Sequence, residues 1–388
     1  MKLRPLGGNR IDLLRCGAEY FPALIAAIDG ALREILLETY IFERDATGMA
    51  VLDALRRAAA RGVVVRLLVD GFGARGFVDA FVDSLAEDSI ELRVFRRERA
   101  TFSLRRHRLR RLHRKLVTVD GRIAFVGGIN VVDDVDVRAP APPRFDFAVR
   151  VEGPLVTRVH AAMDRLWRLV SWASFRHRRP DFDSRVVPGR KRVGDVHASF
   201  LLRDNLRHRR DIENAYLDAI RRARSEILIA NAYFFPGLAF RHALVDAAER
   251  GVRVTLLLQG RVEYWLQYHA CRVLYPQLMA AGVRVIEYRK SFLHAKVAVV
   301  DDAWATVGSS NIDPFSLVLA REANVVVLDA GFTASLRTAL LDAIDDGGEE
   351  LSSDHWRKLG VWQRLLDWVA YGLARIIIGL AGIARFAS

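Results

Sequence analysis

Two segments of the sequence combine histidine, lysine, aspartate and asparagine in the same spacing. HRKLVTVDGRIAFVGGIN runs from His113 to Asn130, and HAKVAVVDDAWATVGSSN runs from His294 to Asn311. Both follow H-x-K-x4-D-x6-G-x2-N, in a chain whose basic residues are almost all arginine. Two such matches are far beyond coincidence. Because imidazole can serve as nucleophile, acid or base near neutral pH, this pattern predicts chemistry on a phosphate ester.

The other polar residues of the two segments suit the oxygens of a phosphate. A compact ammonium fits one phosphate oxygen in a confined site, where a planar guanidinium is too wide. Gly127 and Gly308 lack side chains and would let backbone amides approach a phosphate closely. One copy of the motif supplies half of a phosphate pocket, and the predicted ligands of the complete pocket are Lys115, Lys296, Asn130 and Asn311.

The spacing inside each motif also predicts its local structure. HRKLVTV and HAKVAVV are typical of strands, in which residues two apart point to the same face. Asp120-Gly121 is a hairpin signal, and Asp301-Asp302 takes the same place in the second copy. Asp120 and Asp301 are therefore candidates for a catalytic role, and a purely structural role in the turn is equally compatible with the sequence.

A longer repeat surrounds the motifs. Residues 23–71 and 216–260 both predict a helix, an apolar strand, a second helix and a second apolar strand. Strands that are apolar on both faces indicate a sheet covered by helices on each side. We therefore expect an α/β protein of two duplicated α/β/α sandwich halves with one shared active site, followed by a C-terminal amphipathic helix. The predicted segments are a first half at 1–178, a basic linker at 179–195, a second half at 196–348 and a tail at 349–388.

Composition narrows the class of partner. The 388 residues carry a formal net charge of +13, which favours nucleic acid, an anionic membrane or a phosphate-bearing substrate. Cys16 and Cys271 stand far apart, which argues against a disulfide framework or a thiolate zinc site. We expect neither a metal ion nor a cofactor. The sequence start lacks the apolar segment of a secretory signal, and no uninterrupted apolar run of about 20 residues predicts a conventional membrane span.

Three further segments bear on membranes. Arg96–Lys115 mixes arginines with apolar residues, which suits a solvated face, an anionic bilayer or nucleic acid. VEYWLQYHACRVLYPQLM, before the second motif, predicts a helix that either walls a lipid entrance or packs in the core. The tail favours an interfacial helix, with a span, a re-entrant segment and a packed helix as alternatives. Its apolar stripe at helical spacing consists of Trp362, Leu365, Leu366, Val369, Leu373 and Ile376.

The duplicated motif resembles that of the phospholipase D superfamily. GGIN in the first copy and GSSNIDPFSL in the second are similar to the cardiolipin synthases. ILLETYIF, IANAYFFPG and VRVEGP extend the resemblance to the short bacterial type, which lacks N-terminal membrane spans. The resemblance covers about residues 10–345. The first copy has Gly128 where a serine is common in the superfamily, and the cardiolipin synthases share this change.

The resemblance implies a role for each site residue. One histidine attacks phosphorus and the other serves as acid and then base, and we expect His113 as the nucleophile and His294 as the acid. Ser309 would assist the lysines and asparagines in holding the phosphoryl oxygens. Downstream carboxylates would each hydrogen-bond the histidine of their own copy, and the candidates are Asp146 and Glu322.

The implied activity is joining two phosphatidylglycerols into cardiolipin with release of glycerol, at the inner face of a bacterial membrane. The active site would be complete in one chain, and the sequence leaves the oligomeric state open. A phospholipase D-type hydrolase, a nuclease or other phosphodiesterase, and a silent lipid-binding adaptor are the alternatives. Two complete motifs argue against the adaptor, and the tail argues against nucleic acid as a substrate. Phosphatidylethanolamine and free glycerol remain open as participants.

Overall fold

A computed structural model describes residues 3–96, 111–134, 143–173, 186, 189, 191–204, 208–313, 320–352 and 360–380. The first half comprises β1 (Leu6–Arg15), α1 (Cys16–Asp29), β2 (Glu34–Thr39), α2 (Ala46–Ala60), β3 (Val64–Asp70), α3 (Arg75–Glu87), β4 (Ile90–Phe95), β5 (Arg111–Leu112), β6 (Lys115–Val119), β7 (Ile123–Gly127), β8 (Phe147–Glu152) and α4 (Val156–Ala173). The second half comprises β9 (Val196–Arg203), α5 (Asp211–Arg222), β10 (Glu226–Asn231), α6 (Leu238–Glu249), β11 (Arg253–Gln259), α7 (Trp265–Arg272), α8 (Tyr275–Ala280), β12 (Arg284–Tyr288), β13 (Lys296–Val300), β14 (Trp304–Gly308), β15 (Ala320–Leu328), α9 (Ala330–Gly347) and β16 (Gly348–Glu350). Helix α10 (Val361–Leu380) follows in the tail.

The strands of both halves join into one continuous sheet. Its order is β16-β12-β11-β10-β13-β14-β15-β9-β1-β8-β7-β6-β2-β3-β4, and β5 pairs with β15 outside this path. The halves meet where β1 and β9 run antiparallel, with Leu6 opposite Ala198. Neighbours on one side of this joint repeat the order on the other side, with parallel strands β2, β3 and β4 matching β10, β11 and β12. The predicted duplication is confirmed.

Burial explains why these segments form a covered sheet. Every residue of β2 is buried, and in β10 only Glu226 is partly exposed, as a strand between two helical layers requires. Helices α1, α2 and α3 pack on one face of the first half. On the other face, Met163 of α4 and Leu336 of α9 belong to one hydrophobic cluster that spans both halves. The predicted α/β/α layers are therefore present and share a core.

The two motif hairpins show what the aspartates of the motif do. Asp120 and Asp301 adopt positive φ angles of 53° and 50° in the turns after β6 and β13. The Asp120 carboxylate accepts hydrogen bonds of 2.7 to 3.0 Å from three backbone N–H groups that lead into β2. Asp301 does the same for the start of β10 and also accepts the Ser225 hydroxyl. Both aspartates lie at the far ends of their strands from the motif lysines, so the expectation of a catalytic role for Asp120 and Asp301 is replaced by a structural one.

Strands mark the two described limits of the second half. Strand β9 begins at Val196, and β16 extends the second half to Glu350 by pairing with β12. The predicted linker 179–195 lies mostly outside the described residues. Residues 97–110 of the arginine-rich segment also lie outside them.

Helix α10 of the tail docks on α7 through a narrow polar and small-residue face. Asp367 is 1% exposed and its Oδ1 lies 2.6 Å from His269 Nδ1. Ala370 and Ala374 are buried beside it. The predicted apolar stripe faces away from the protein, and Trp362 is 82% exposed. Helix α10 thus packs on the protein with one face and presents an apolar face outward.

Within the described ranges, no helix combines the length and apolar character needed to cross a membrane.

Replacing Asp301 with Ala should destabilise the fold and leave the chemistry of folded molecules intact. Removing the shared acceptor breaks several hydrogen bonds to the start of β10, most of them exposed, so the free energy of unfolding should fall by about 1–2 kcal/mol. Asp302→Ala is the matched control, because within the described part of the chain Asp302 makes only an exposed ion pair with Arg337, at 3.2 Å. Urea unfolding measures the loss. If Asp301→Ala kept full stability but lost turnover, Asp301 would have a catalytic role after all.

Candidate active site

The motif lysines open the central strands of the two halves. β6 begins at Lys115 and β13 at Lys296, so each histidine stands two residues before its strand. Lys115 Nζ donates a 2.6 Å hydrogen bond to the backbone oxygen of His113, and Lys296 does the same to His294. Both lysines are almost fully buried, at 3% and 0% exposure. Two buried cations thus lie beside two histidines in one chain.

The first histidine is held by the second half of the molecule. Strand β5, just before His113, runs parallel to the start of β15, and His113 N–H donates to Arg321 O at 3.0 Å. This pairing places Glu322 beside the imidazole. His113 Nδ1 lies 3.0 Å from Glu322 Oε1 and 3.2 Å from Oε2. Since Nδ1 is engaged, Nε2 is left for a substrate.

The second histidine is held by the first half in the same way. Phe145 N–H donates to Phe292 O at 2.9 Å, and His294 N–H donates to Phe145 O at 2.9 Å. These bonds place Asp146 beside the second imidazole, with Oδ2 2.6 Å from His294 Nδ1. The expectation that each carboxylate pairs with the histidine of its own copy is therefore wrong. The two pairs are crossed because each carboxylate segment runs parallel to the histidine segment of the opposite half.

The two copies of the motif differ in residue type at one position next to the carboxylates. A Cβ atom at Gly128 would lie 2.4 Å from Asp146 Oδ1, so any side chain there would displace that carboxylate. The equivalent residue, Ser309, instead donates its hydroxyl to Glu322 Oε2 at 2.6 Å. The hydroxyl expected on a phosphate oxygen thus supports the carboxylate behind His113. Packing also requires glycine at positions 127 and 308, since a Cβ atom at either would lie within 2.5 Å of the neighbouring strand.

The motif asparagines are buried at the same end of the sheet. Asn130 Oδ1 accepts the Ile41 N–H at 3.2 Å, which leaves its amide nitrogen as the free donor group. Asn311 Oδ1 is buried without a hydrogen-bond partner among the described residues. The Asn130 amide nitrogen therefore suits the predicted contact with a phosphoryl oxygen, whereas the unpartnered Asn311 Oδ1 is an acceptor and suits a donor such as a hydroxyl.

Burial sets the charge state of this site. It lowers the pKa of Lys115 to about 7 and that of Lys296 to about 8. Burial also lowers the pKa of His113, against the opposing effect of Glu322. The pKa of His294 is lowered further, well below its usual range, by burial and then by the two lysines. An entering phosphodiester anion would restore these positive charges.

The two carboxylates differ in their readiness to ionise. Burial raises the pKa of Asp146 to about 6, although Lys296 opposes this effect. Burial acts on Glu322 as well, but His113, Lys115 and the Ser309 hydroxyl outweigh it and lower the pKa below its usual range. Glu322 therefore stays ionised beside His113, whereas Asp146 lies closer to neutrality beside His294.

Sequence reasoning missed two groups at the site. The Tyr40 ring centroid lies 4.9 Å from that of His113, and Lys115 Nζ lies 5.5 Å from the Tyr40 ring centroid. On the other side, Glu263 accepts hydrogen bonds from Arg144 at 3.1 Å and from the Tyr233 hydroxyl. Tyr40 and Tyr233 follow the ends of β2 and β10, where loop residues of a covered sheet meet ligands. Their position after these strands was the feature of the sequence that could have predicted Tyr40 and Tyr233 as site residues.

The described residues contain no cluster of three or more histidine, cysteine or acidic side chains arranged to hold a metal ion.

The duplicated sheet and the paired histidine motifs define a phospholipase D-like chain. A family model described as "Cardiolipin synthase, PLD-like domain" matches residues 24–135 and 216–342, one segment in each half. The chain belongs to this family.

Individual relatives agree with that assignment. Cardiolipin synthase B of Escherichia coli strain K12 is 38% identical over 385 residues, which cover 97% of this chain and 90% of that protein. Cardiolipin synthase A of Proteus mirabilis is 30% identical over 379 residues, covering 94% and 75%. The crystal structure of a phosphatidylserine synthase from Haemophilus influenzae shares the fold, with a TM-score of 0.72 at 15% identity over 100% of this chain and 98% of that one.

Ser309→Ala should move the acidic limb of the pH–rate profile to higher pH. Without the hydroxyl donor, the pKa of Glu322 rises, so Glu322 becomes protonated and stops supporting His113 at a higher pH as the solution is acidified. Ser310→Ala is the control, because the one described hydrogen bond of the Ser310 hydroxyl is to the backbone oxygen of Asn311, at 3.4 Å. The measurement is kcat/KM from pH 5 to 9. Identical acidic limbs for Ser309→Ala and the unmodified chain would contradict this coupling.

Proposed function

We propose that this chain is a phosphatidyltransferase that joins two phosphatidylglycerols into cardiolipin and releases glycerol. The observation that carries the proposal is the pair of crossed histidine–carboxylate contacts around two buried lysines. Such a site suits an anionic phosphodiester, which repels nucleophiles until its charge is countered. Relatives named cardiolipin synthase, matched over almost the whole chain, supply the lipid substrate class.

In the first step, His113 Nε2 attacks phosphorus. A nitrogen–phosphorus bond forms, and the bond from phosphorus to the glycerol headgroup oxygen breaks. That oxygen takes a proton from His294 Nε2 and leaves as free glycerol. Lys115 and Lys296 counter the charge on the phosphoryl oxygens, since both ammonium groups are buried beside the histidines.

In the second step, the terminal headgroup hydroxyl of another phosphatidylglycerol attacks the same phosphorus. It gives its proton to His294, and the nitrogen–phosphorus bond breaks to release His113. Because the intermediate is covalent, water can replace the alcohol. Hydrolysis to phosphatidic acid is therefore the competing reaction.

The asymmetry of the carboxylates supports His113 as the nucleophile. A phosphorylated imidazole carries positive charge, and the ionised Glu322 beside it, held by Ser309, stabilises that charge. His294 must exchange protons twice. Its low pKa in the empty site suits the base, and a phosphodiester anion between the lysines raises that pKa toward the range of an acid.

Incubation with phosphatidylglycerol vesicles tests the reaction directly. Lipid mass spectrometry should show cardiolipin, and free glycerol should appear in equal amount. The double variant His113→Ala/His294→Ala should form no product and serves as the control for spontaneous reaction. Phosphatidic acid without cardiolipin would make the chain a hydrolase.

Labelling distinguishes the two histidines. With a phosphatidyl-p-nitrophenol donor, whose leaving group needs no protonation, His294→Ala should accumulate a covalent adduct on His113. His113→Ala should form no adduct. Acid-quenched digestion and peptide mapping by mass spectrometry identify the modified residue. A phosphorylated peptide that contains His294 and none that contains His113 would reverse the roles.

The outward face of α10 suggests how the protein reaches its substrate. We infer that the chain is peripheral on the cytoplasmic side of a bacterial membrane and that α10 lies in the headgroup region. The net charge of +13 attracts an anionic surface, and the exposed apolar side chains of α10 can insert into it. Tyr264 and Trp265, at the start of α7, extend the same exposed surface at 58% and 47% exposure.

Point substitutions test this surface better than removal of the tail, because α10 also covers His269. The triple variant Leu365→Gln/Val369→Gln/Leu373→Gln should bind phosphatidylglycerol vesicles at least tenfold more weakly, since burial of each side chain is worth roughly 1 kcal/mol or more. Leu341→Gln, on the exposed side of α9, is the control. Vesicle sedimentation measures binding. Unchanged binding by the triple variant would disprove the interfacial role.

A further inference from the structure

A pocket lies in the second half, next to the segment that carries His294. It is partly open to solvent and lies between the ends of β10 and β11 and helix α7, and its polar wall includes Tyr233, Gln259, Arg261, Glu263 and Tyr268. Backbone and side-chain bonds tie it to the catalytic histidine. Gln259 Oε1 accepts the N–H of Leu293, the residue before His294, at 3.1 Å.

Gln259 supplies an unused donor in this wall. The residue is 6% exposed, and its Nε2 finds no partner within the part of the chain that the structure describes. Because Oε1 is held by the Leu293 N–H, the orientation of the amide is fixed and the nitrogen is the free end. A buried amide N–H without an acceptor is costly, so the group fits a ligand that brings one.

Glu263 supplies an acceptor in the same wall, and its charge is already countered. Arg144 donates to it at 3.1 Å, and the Tyr233 hydroxyl donates to its other oxygen. Arg261 is also engaged, because it donates to Lys290 O at 3.4 Å and lies over the Phe292 ring. The wall therefore offers donors together with a carboxylate acceptor. Because a carboxylate repels a second phosphate and accepts from hydroxyls, this surface suits a neutral group with several hydroxyls.

The spare donor of Gln259 is not a necessary consequence of the fold, because the equivalent position in the first half carries an aspartate. Asp70 ends β3 as Gln259 ends β11, and it likewise accepts the N–H of the residue before the histidine, Leu112, at 2.8 Å. Its other oxygen accepts Phe72 N–H at 2.9 Å and Gly73 N–H at 3.3 Å. A carboxylate has no N–H to offer. At this pair of equivalent positions in the described residues, Gln259 thus has a spare N–H donor and Asp70 has none.

We propose that this pocket binds the glycerol headgroup, a vicinal diol, and so selects the alcohol that leaves or enters on the His294 side. The assignment rests on the proposed transfer between phosphatidylglycerols. Gln259 donates to one hydroxyl oxygen, Glu263 accepts from a neighbouring hydroxyl, and the tyrosine rings pack on the carbon chain. The diol is thereby held with its terminal oxygen toward His294.

Binding of two soluble headgroups tests the pocket. Methyl glyceryl phosphate carries the diol, and methyl propyl phosphate carries the same phosphodiester and a three-carbon chain without hydroxyls. Calorimetry on the full chain should show roughly tenfold tighter binding of the first ligand, the effect of one or two hydrogen bonds to a charged or buried group. Gln259→Glu, which removes the donor and keeps the oxygen for Leu293, and Glu263→Gln should each reduce this preference to less than about threefold.

Gln277→Glu is the matched control, because Gln277 is exposed on α8 away from the pocket, and it should keep the full preference. Thermal unfolding of every variant confirms that a lost preference comes from a folded protein. The proposal that this pocket binds the diol would be wrong if the unmodified chain bound both ligands equally. It would also be wrong if Gln259→Glu and Glu263→Gln kept the full preference.

The binding comparison needs no turnover, so the two proposals fail separately. A clear preference without cardiolipin formation would reject the transfer reaction and keep the diol pocket. Cardiolipin formation without a preference would reject the pocket alone.

Discussion

The crossed contacts between histidines and carboxylates are the constraint on which the rest of the structure depends. A catalytic imidazole needs one nitrogen fixed so that the other faces its target, and a buried carboxylate needs a partner. Each half supplies the carboxylate for the histidine of the other, His113 with Glu322 and His294 with Asp146. A single half would hold an unpaired carboxylate and an unoriented histidine. The joint between β1 and β9 and the parallel contacts of β5 with β15 are therefore as necessary to the site as the motif residues.

Duplication gives the two halves one backbone and leaves the side chains free to diverge. Ser309 and Gly128 occupy equivalent places, yet one donates to a carboxylate and the other makes room for one. A buried pair between Arg114 and Glu38, at 2.9 Å, exists only in the first half, since the second motif has Ala295 at that position. These differences change the electrostatic environment of the ionisable groups, while the backbone fold of the two halves stays the same. A nearly symmetric fold thus gives its two histidines different electrostatic surroundings.

Local pattern was enough to predict the strands, the hairpins, the layers and the duplication, because each depends on residues near one another in sequence. The motif spacing likewise located the histidines, lysines and asparagines. The crossed pairing could not be read in this way, since His113 and Glu322 are separated by 209 positions and nothing near either residue marks the other. Glu263 was missed for the same reason. Asp120 was ambiguous because a carboxylate in a turn looks alike whether it serves the turn or a substrate.

The buried lysines explain how the site can be stable when empty and strongly binding when occupied. Two ammonium groups held close together in a dry interior are costly, and burial has moved the pKa of Lys115 to about 7 and that of Lys296 to about 8. Near neutral pH, the empty site therefore carries less than its full positive charge. A phosphodiester anion favours the protonated forms, so binding and proton uptake are linked. In the proposed transfer, the phosphoryl oxygens become more negative as phosphorus gains a fifth ligand, so the attraction to the same cations would be strongest at the transition state.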